Sequence, residues 1–257
     1  MKILIVSTYF PPQNSIASLR PYSWAKYWSR LGHDITVLTT KKVKTQNDLK
    51  LDMSGFCVLE ALVTIPFKEI YESKIRNSEI PNNNPIHNWE SFVLKFMRDR
   101  YSSFVRLTGC FMTCRYPDWH DNWVPRALKL VQNEDWDAVI STGGPYSVHR
   151  VGLKIKKQSP NVYWIVDWRD LWTDNPIYHG IPIFWPIEKR LEKRFHKSCD
   201  LITCVTQKSS KVLEQKAGGK VEVVYNGFDP DNYKSSRQCS LLSNKSALNI
   251  AFTGTFS

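Results

Sequence analysis

Apolar runs of strand length alternate with helical segments along most of this chain, and that alternation restricts the fold more than any other feature. KILIVSTY (2–9) is rich in Ile and Val, as suits a strand covered on both faces. The loop FPPQNSIASLR follows, and Pro21 is placed in the first turn of a helix, where its missing N–H is no loss. Trp24, Trp28 and Leu31 fall at helical spacing, Gly32 supplies a stop, and DITVLTT (34–40) is a second strand. A strand, a helix and a strand within forty residues require a parallel pair joined by a right-handed crossover. The pattern resumes with a helix opening near Pro125 and a strand at DAVIST (137–142). A helix over 146–158, the strand VYWIVDW (162–168) and a helix over 185–199 come next. The strand LITCVT (201–206), a helix closed by Gly218-Gly219 and the strand VEVVYNG (221–227) complete the series. The prediction is an α/β fold, a doubly wound, mostly parallel sheet with helices on both faces.

Between these regions, FCVLEALVTI (56–65) reads as a strand and NSEIPNNNP (77–85) as an exposed loop. From Trp89 to Tyr116, aromatic and aliphatic residues are interleaved with Lys95, Arg98, Arg100, Arg106 and Arg115. Such a basic amphipathic stretch either packs on the core with a solvated cationic face or lies in a membrane interface. In the second case Arg98, Arg100 and Arg106 would make the membrane contact. Residues 1–233 are expected to form one domain, the Ser-rich 234–247 a linker, and LNIAFTGTFS (248–257) the first strand of a second, truncated domain.

The 257 residues are 42% hydrophobic and include ten tryptophans, which excludes a disordered chain. A net charge of +11 favours an anionic partner such as a phosphorylated small molecule or an anionic membrane surface. The basic residues are spread along the chain without a zinc-finger, RNA-recognition or helix-turn-helix signature, so no nucleic-acid partner is expected. No apolar run approaches the roughly 18 to 20 residues of a membrane-spanning helix. Six cysteines do not make a disulfide framework for a domain of this size, and the opening strand is no signal peptide. A reducing, cytoplasmic location follows, with peripheral attachment to the cytoplasmic membrane face as an option. Cys110 and Cys114 could share a helix face, but without a second Cys/His pair they read as packing residues rather than a zinc site.

In open parallel sheets, ligands bind beyond the carboxyl ends of the strands. Three loops leave such ends here. The first runs from Tyr9 to Arg20. In the second, STGGPYSVHR (141–150), Gly143-Gly144 lets backbone approach a ligand just ahead of a helix N-terminus, which favours an anion such as a diphosphate. The third, DWRDLWTDNP (167–176), sets Asp167, Arg169, Asp170 and Asp174 beside Trp168 and Trp172. Carboxylates orient sugar hydroxyls, Arg clamps phosphate, and indole faces stack on sugar rings. Structural roles compete with each of these: a tight turn at Gly143-Gly144, a core imidazole at His149, a capping and Arg-pairing set at Asp167 and Asp170.

In order along the chain, MKILIVSTYFPP with Arg20, LGHDITVLTT, YPDWHDNWVPRA, STGGPYSVHRVGLKIKK, WIVDWRDLWTDNP and VEVVYNGFD resemble the amino-terminal domain of a GT-B glycosyltransferase, family four, of the bacterial surface-polysaccharide kind. The resemblance spans nearly the whole chain and implies a Rossmann-like, acceptor-side domain. It further implies sugar transfer from a nucleotide-diphosphate donor to a glycan or polyprenyl-diphosphate-linked acceptor, with retention at the anomeric carbon and with neither cofactor nor metal. In the family the donor is gripped mainly by the carboxy-terminal domain, so this chain is expected to lack the donor-binding half and to be inactive alone. The family's paired glutamates belong to that half; Glu214 and Glu222 share their spacing but straddle a Gly-Gly turn.

By the same resemblance, the loop after the first strand approaches the diphosphate through Ser15, Ile16, Ala17 and Ser18, with Arg20 following. A Gly pair is usual there, and the small side chains at 15, 17 and 18 would admit a phosphate in its place. Gly143, Gly144, Tyr146, His149 and Trp172 complete the diphosphate and acceptor loops. Asp167 or Asp170 would orient the acceptor hydroxyl or the reacting sugar, with Arg169 near the phosphates. Relatives carry His near position 169, and Arg, always protonated, is no general base. Two other readings are compatible with the fold: a sugar-nucleotide epimerase, and a non-catalytic module that binds an acceptor or partner.

Overall fold

Ile3 and Ile5 point to one side of the first strand and Leu4 and Val6 to the other, and all four are buried. Both faces of that strand must therefore be covered, and the rest of the architecture follows from this requirement. The computed structural model describes residues 1–42, 49–64, 100, 103–104, 107–111 and 114–232.

The strands, in chain order, are β1 (Lys2–Val6), β2 (Asp34–Thr40), β3 (Cys57–Ala61), β4 (Cys110–Phe111), β5 (Arg115–Asp118), β6 (Ala138–Thr142), β7 (Tyr163–Trp168), β8 (Leu201–Cys204) and β9 (Val221–Val223). Among the described residues, seven of them form one parallel sheet in the order β3-β2-β1-β6-β7-β8-β9. Helix α1 (Ile16–Arg30) covers one face, where Tyr22 and Ala25 pack with Ile3, Ile5, Ile35, Val37 and Ile140. The other face carries α2 (Val124–Val131), α3 (Ser147–Gln158), α4 (Trp185–Ser198) and α5 (Gln207–Ala217). From β1 the chain winds outward through β2 and β3, and from β6 it winds the opposite way through β9. The reversal between β1 and β6 is a topological switch point, where such sheets open a crevice.

The doubly wound α/β prediction is what the structure shows. Several element ends differ. Helix α1 begins at Ile16, five residues before Pro21, because Ser15 caps it by accepting the Ala17 N–H at 3.2 Å. Pro21 thus lies inside the helix rather than in its first turn. The strand expected over 56–65 ends at Ala61.

The continuous amphipathic stretch expected up to Tyr116 is corrected at its C-terminal end. There β4 pairs with β5, and Arg115 turns inward, 1% exposed. Its Nε and Nη2 donate to Glu188 at 2.9 and 2.5 Å, and its Nη1 donates to the carbonyls of Trp172 and Tyr178. A bidentate carboxylate with two carbonyls satisfies a buried guanidinium, which an isolated helix face would not. Cys110 donates to the Tyr116 carbonyl instead of sharing a face with Cys114.

Met1–Asn226 makes up one compact unit. Of the second unit, which starts at Gly227, the described part ends in a short 3-10 turn over Pro230–Asn232. The linker expected at 234–247 and the strand expected at 248–257 lie outside the described residues, as does the loop expected at 77–85.

Candidate functional site

The loops after β1, β6 and β7 leave neighbouring strand ends and are bonded to one another, as their sequences lead one to expect. Thr8 donates through Oγ1 to the Gly144 carbonyl at 3.2 Å. The Gly143 N–H donates to the Asp167 carbonyl at 3.0 Å, and Arg169 Nη1 donates to the Ala17 carbonyl at 2.6 Å. All three loops thus meet at the switch point.

Asp167 is the hub. Its side chain has no exposed surface, and its two oxygens accept four bonds from three side chains. Arg20 grips it with Nε and Nη2 at 3.1 and 2.9 Å, while Thr142 and Thr203 donate through Oγ1 at 2.5 and 2.7 Å. A carboxylate with its lone pairs committed this way has no capacity left for a substrate hydroxyl. In this arrangement the Asp167 oxygens are occupied by Arg20, Thr142 and Thr203 rather than open for the direct role expected of them. Arg20 also reaches through Nη1 to the Tyr225 carbonyl and Asn226 Oδ1, and lies over the Trp24 ring at 4.6 Å.

Arg169 is placed by two backbone features. Pro21 has no N–H to give to the carbonyl four residues earlier, so the Ala17 oxygen is left without its helical partner and accepts the guanidinium instead. Gly143 adopts a left-handed φ of +77°, and a Cβ there would stand 1.9 Å from Arg169 Nη2. Arg169 is half-buried, and desolvation lowers its pKa, partly opposed by the charges of Asp167 and Asp170. Asp170 is exposed, so among the predicted carboxylates at 167 and 170 it is the one that solvent and ligands reach.

Two helix N-termini flank this arrangement. Neither α1 nor α3 has an acidic residue in its first turn. Ser18 and Ser147, within those first turns, are buried with Oγ atoms that have no partner among the described residues. Ser15 is committed to capping, and Ile16 is 89% exposed. Arg20 and Arg169 are set against the carboxylates of Asp167 and Asp170, and the two helix N-termini, free of first-turn acids, add orphan donors, which suit an anion.

Lys42, which no sequence pattern singles out, adds a cation at the same edge. Its Nζ donates to the Thr8 carbonyl at 2.5 Å and to Thr39 and Thr40 Oγ1 at 2.9 and 3.2 Å. Burial lowers its pKa from 10.5 to about 7, with Glu60 opposing that shift. Below pH 7 both folded and unfolded chains carry the proton, and the full cost of a buried charge is present. Between pH 7 and 10.5 the unfolded chain binds more protons, so stability rises with pH. A Lys42→Met variant should therefore be more stable than the parent at pH 6. That advantage should shrink by about 2–3 kcal/mol by pH 9.5, as read from thermal unfolding at the two pH values.

The aromatic residues of this region face inward. Trp168 and Trp172 are each 3% exposed, so neither offers a face to a sugar, contrary to the expectation from sequence. Tyr146 stacks on Trp172 at 4.5 Å, Trp172 on Trp168 at 6.0 Å, and His149 lies 4.1 Å from Trp168. Tyr146 donates to Asp121 at 2.5 Å, and burial raises its pKa. His149 is fully buried, with Nδ1 at 2.8 Å from Ser141 Oγ, and desolvation holds its pKa down at about 3. It is a neutral core imidazole, and with Tyr146 and Trp172 it supports the loops from behind.

Of the residues considered for membrane contact, Arg98 and Arg106 lie outside the described residues, and Arg100 is exposed. Among the described residues, no helix is long and apolar enough to cross a membrane, and no group of three His, Cys, Asp or Glu is placed to hold a metal ion.

In comparison with known families, residues 90–232, more than half of the chain, fit the sequence model of the family described as Glycosyltransferase Family 4. No curated protein matches the chain.

Proposed function

The chain belongs to glycosyltransferase family 4, and on that premise we propose that it serves a retaining, metal-independent transfer of a sugar from a nucleotide-diphosphate donor to a polyprenyl-diphosphate-linked glycan, at the cytoplasmic membrane face, in surface polysaccharide synthesis. The observation that carries the reading is the donor-lined crevice at the switch point between β1 and β6, where Arg169 and two helix N-termini meet around the Arg20–Asp167 pair.

As the bond to the diphosphate breaks, positive character grows on the anomeric carbon and negative charge on the departing phosphate oxygen. Preorganised donors aimed at that oxygen stabilise the transition state, and they need no reorganisation when the charge appears. In this reading Arg169 and the first turns of α1 and α3 take the phosphate charge, while Asp170 orients the acceptor hydroxyl. Asp167 holds Arg20 and through its backbone carbonyl anchors Gly143, so it shapes the crevice without touching substrate.

Calorimetric titration of the full chain with pyrophosphate and with nucleoside diphosphates tests the crevice directly. Arg169→Met should weaken binding about 10- to 100-fold, the value of a charge-assisted hydrogen bond. Transfer is then followed, with a donor-binding half supplied, as label moving from nucleotide sugars to a polyprenyl-diphosphate glycan. Product formed with the acceptor omitted would indicate epimerase chemistry, and undiminished diphosphate binding by Arg169→Met would overturn the assignment of the crevice.

A further inference from the structure

At the far end of the loop that leaves β7, a cavity of about 190 Å³ opens against the start of α4. Arg115 and Glu188 border it as a buried ion pair. Arg115 also holds the carbonyls of Trp172, Thr173 and Tyr178, so the rim that carries them is fixed from below. Asn175 stiffens that rim again, because its Oδ1 accepts the Ile177 and Tyr178 N–H groups at 2.9 and 3.0 Å. The amide NH2 of Asn175 is left without a partner among the described residues. Asp174, with its side chain 48% exposed, pairs with Lys216 through Oδ2 and keeps its other oxygen for a donor.

Trp185 supplies the wall. It lies on the side of α4 that carries Glu188, three residues on, and it is 40% exposed. Its Nε1–H donates to the His179 carbonyl at 2.8 Å, which pins the indole and satisfies its polar edge. Trp168 and Trp172 are buried in a stack with Tyr146, whereas the Trp185 ring stacks on no other aromatic among the described residues. An indole surface therefore stays available at the cavity.

We infer that this cavity is a saccharide subsite for one pyranose unit, with the C–H face of the sugar on the Trp185 indole and its hydroxyls on the Asn175 amide and the Asp174 carboxylate. The lining selects this chemistry. Its charges are largely cancelled in pairs, Arg115 by Glu188 and Lys216 by Asp174 and Glu192, so a bare anion finds little beyond Lys189 to hold it. Donors and acceptors stand around an apolar wall, as suits a ring with hydroxyls at its edge and C–H groups on its face. The volume lies below the roughly 300–1,000 Å³ of sites for drug-sized ligands, which suits a single ring. The β7 loop also links this cavity to the crevice: Arg169 and Asp170 belong to the crevice, and Thr173, Asp174 and Asn175 border the cavity a few residues later. The sugar held here is then a unit of the acceptor glycan beyond the one that reacts, an assignment that rests on the transfer proposed above.

Saturation-transfer NMR of the full chain with the methyl glycosides of glucose, galactose, mannose and N-acetylglucosamine, each added singly, reads the subsite directly. At least one is expected to bind, with the strongest transfer to the protons of one ring face. Trp185→Ala should abolish the signal, and Trp185→Phe should keep part of it, because the smaller ring still offers a face. Asn175→Asp retains the oxygen that caps the turn and removes the amide donors, so binding should weaken about 3- to 10-fold. Arg169→Met, which alters the crevice alone, should bind the glycoside as the parent does. A circular-dichroism melt checks that each variant is folded, and if Trp185→Ala is not, Asn175→Asp decides. Absence of glycoside binding, binding unchanged in the deciding variant, or a preference for uridine over every glycoside would overturn the subsite. Glycoside binding by a chain that takes up no pyrophosphate would keep the subsite and remove the transfer reading, whereas pyrophosphate uptake without glycoside binding would do the opposite.

Discussion

Asp167→Asn is expected to reduce transfer at least about 100-fold, read with a donor-binding half supplied, and to lower stability by about 3 kcal/mol, the scale of loss when one partner of a buried charge pair is removed. The amide has nearly the same shape but only one accepting atom, whereas the carboxylate takes donors on both oxygens, from Arg20 and Thr142 on one side and Arg20 and Thr203 on the other. Arg20, with a side chain only 7% exposed, would keep its charge without a counterion. Its departure would free the start of α1 and, with it, the Ala17 carbonyl that holds Arg169. A second substitution separates stability from chemistry. Arg20→Met combined with Asp167→Asn removes the stranded cation and should recover much of the melting temperature but none of the transfer. Parental melting and turnover in Asp167→Asn would show that the hub is not a hub.

Arg115→Met should be the most destabilising single change in the molecule, at about 3–5 kcal/mol, which corresponds to roughly 10 °C in melting temperature for a chain of this size. The guanidinium serves Glu188 and the carbonyls of Trp172 and Tyr178 together, so its loss strands a buried carboxylate and loosens the segment after β7. Glu188 would retain the Tyr116 N–H at 2.9 Å as a donor, too little for a buried charge. Replacing both partners, Arg115→Met with Glu188→Met, should cost less than Arg115→Met alone, because no unmatched charge remains. Differential scanning calorimetry on the three variants decides this, and a double variant worse than the single would contradict the ion-pair account.

These two pairs also mark where the sequence stops being readable. Strand identity was legible because a strand covered on both faces must be apolar at nearly every position, and KILIV, DITVLTT and YWIVDW announce themselves. That three loops would meet at one edge followed from parallel order alone. Which way their side chains turn did not follow, since the direction depends on partners far away in sequence. Arg20 lies 147 residues from Asp167, and Arg115 lies 73 from Glu188. In DWRDLWTDNP, polar and aromatic residues follow one another without a period, so buried Trp168 and Trp172 cannot be told from exposed Asp170 by spacing. Lys42 follows β2 beside another lysine, and only the structure distinguishes the half-buried one from its exposed neighbour.

Pro21 illustrates a conflict between two optimisations. A helix designer would remove it, since an interior proline forfeits a backbone hydrogen bond and crowds the preceding turn. Alanine at that position would mend α1 and give the Ala17 carbonyl its ordinary partner, and Arg169 would then have to compete for an oxygen it now holds at 2.6 Å. Selection for thermal robustness and selection for a well-aimed cation therefore pull this residue in opposite directions, and a helix with a deliberate defect is what the second pressure leaves behind.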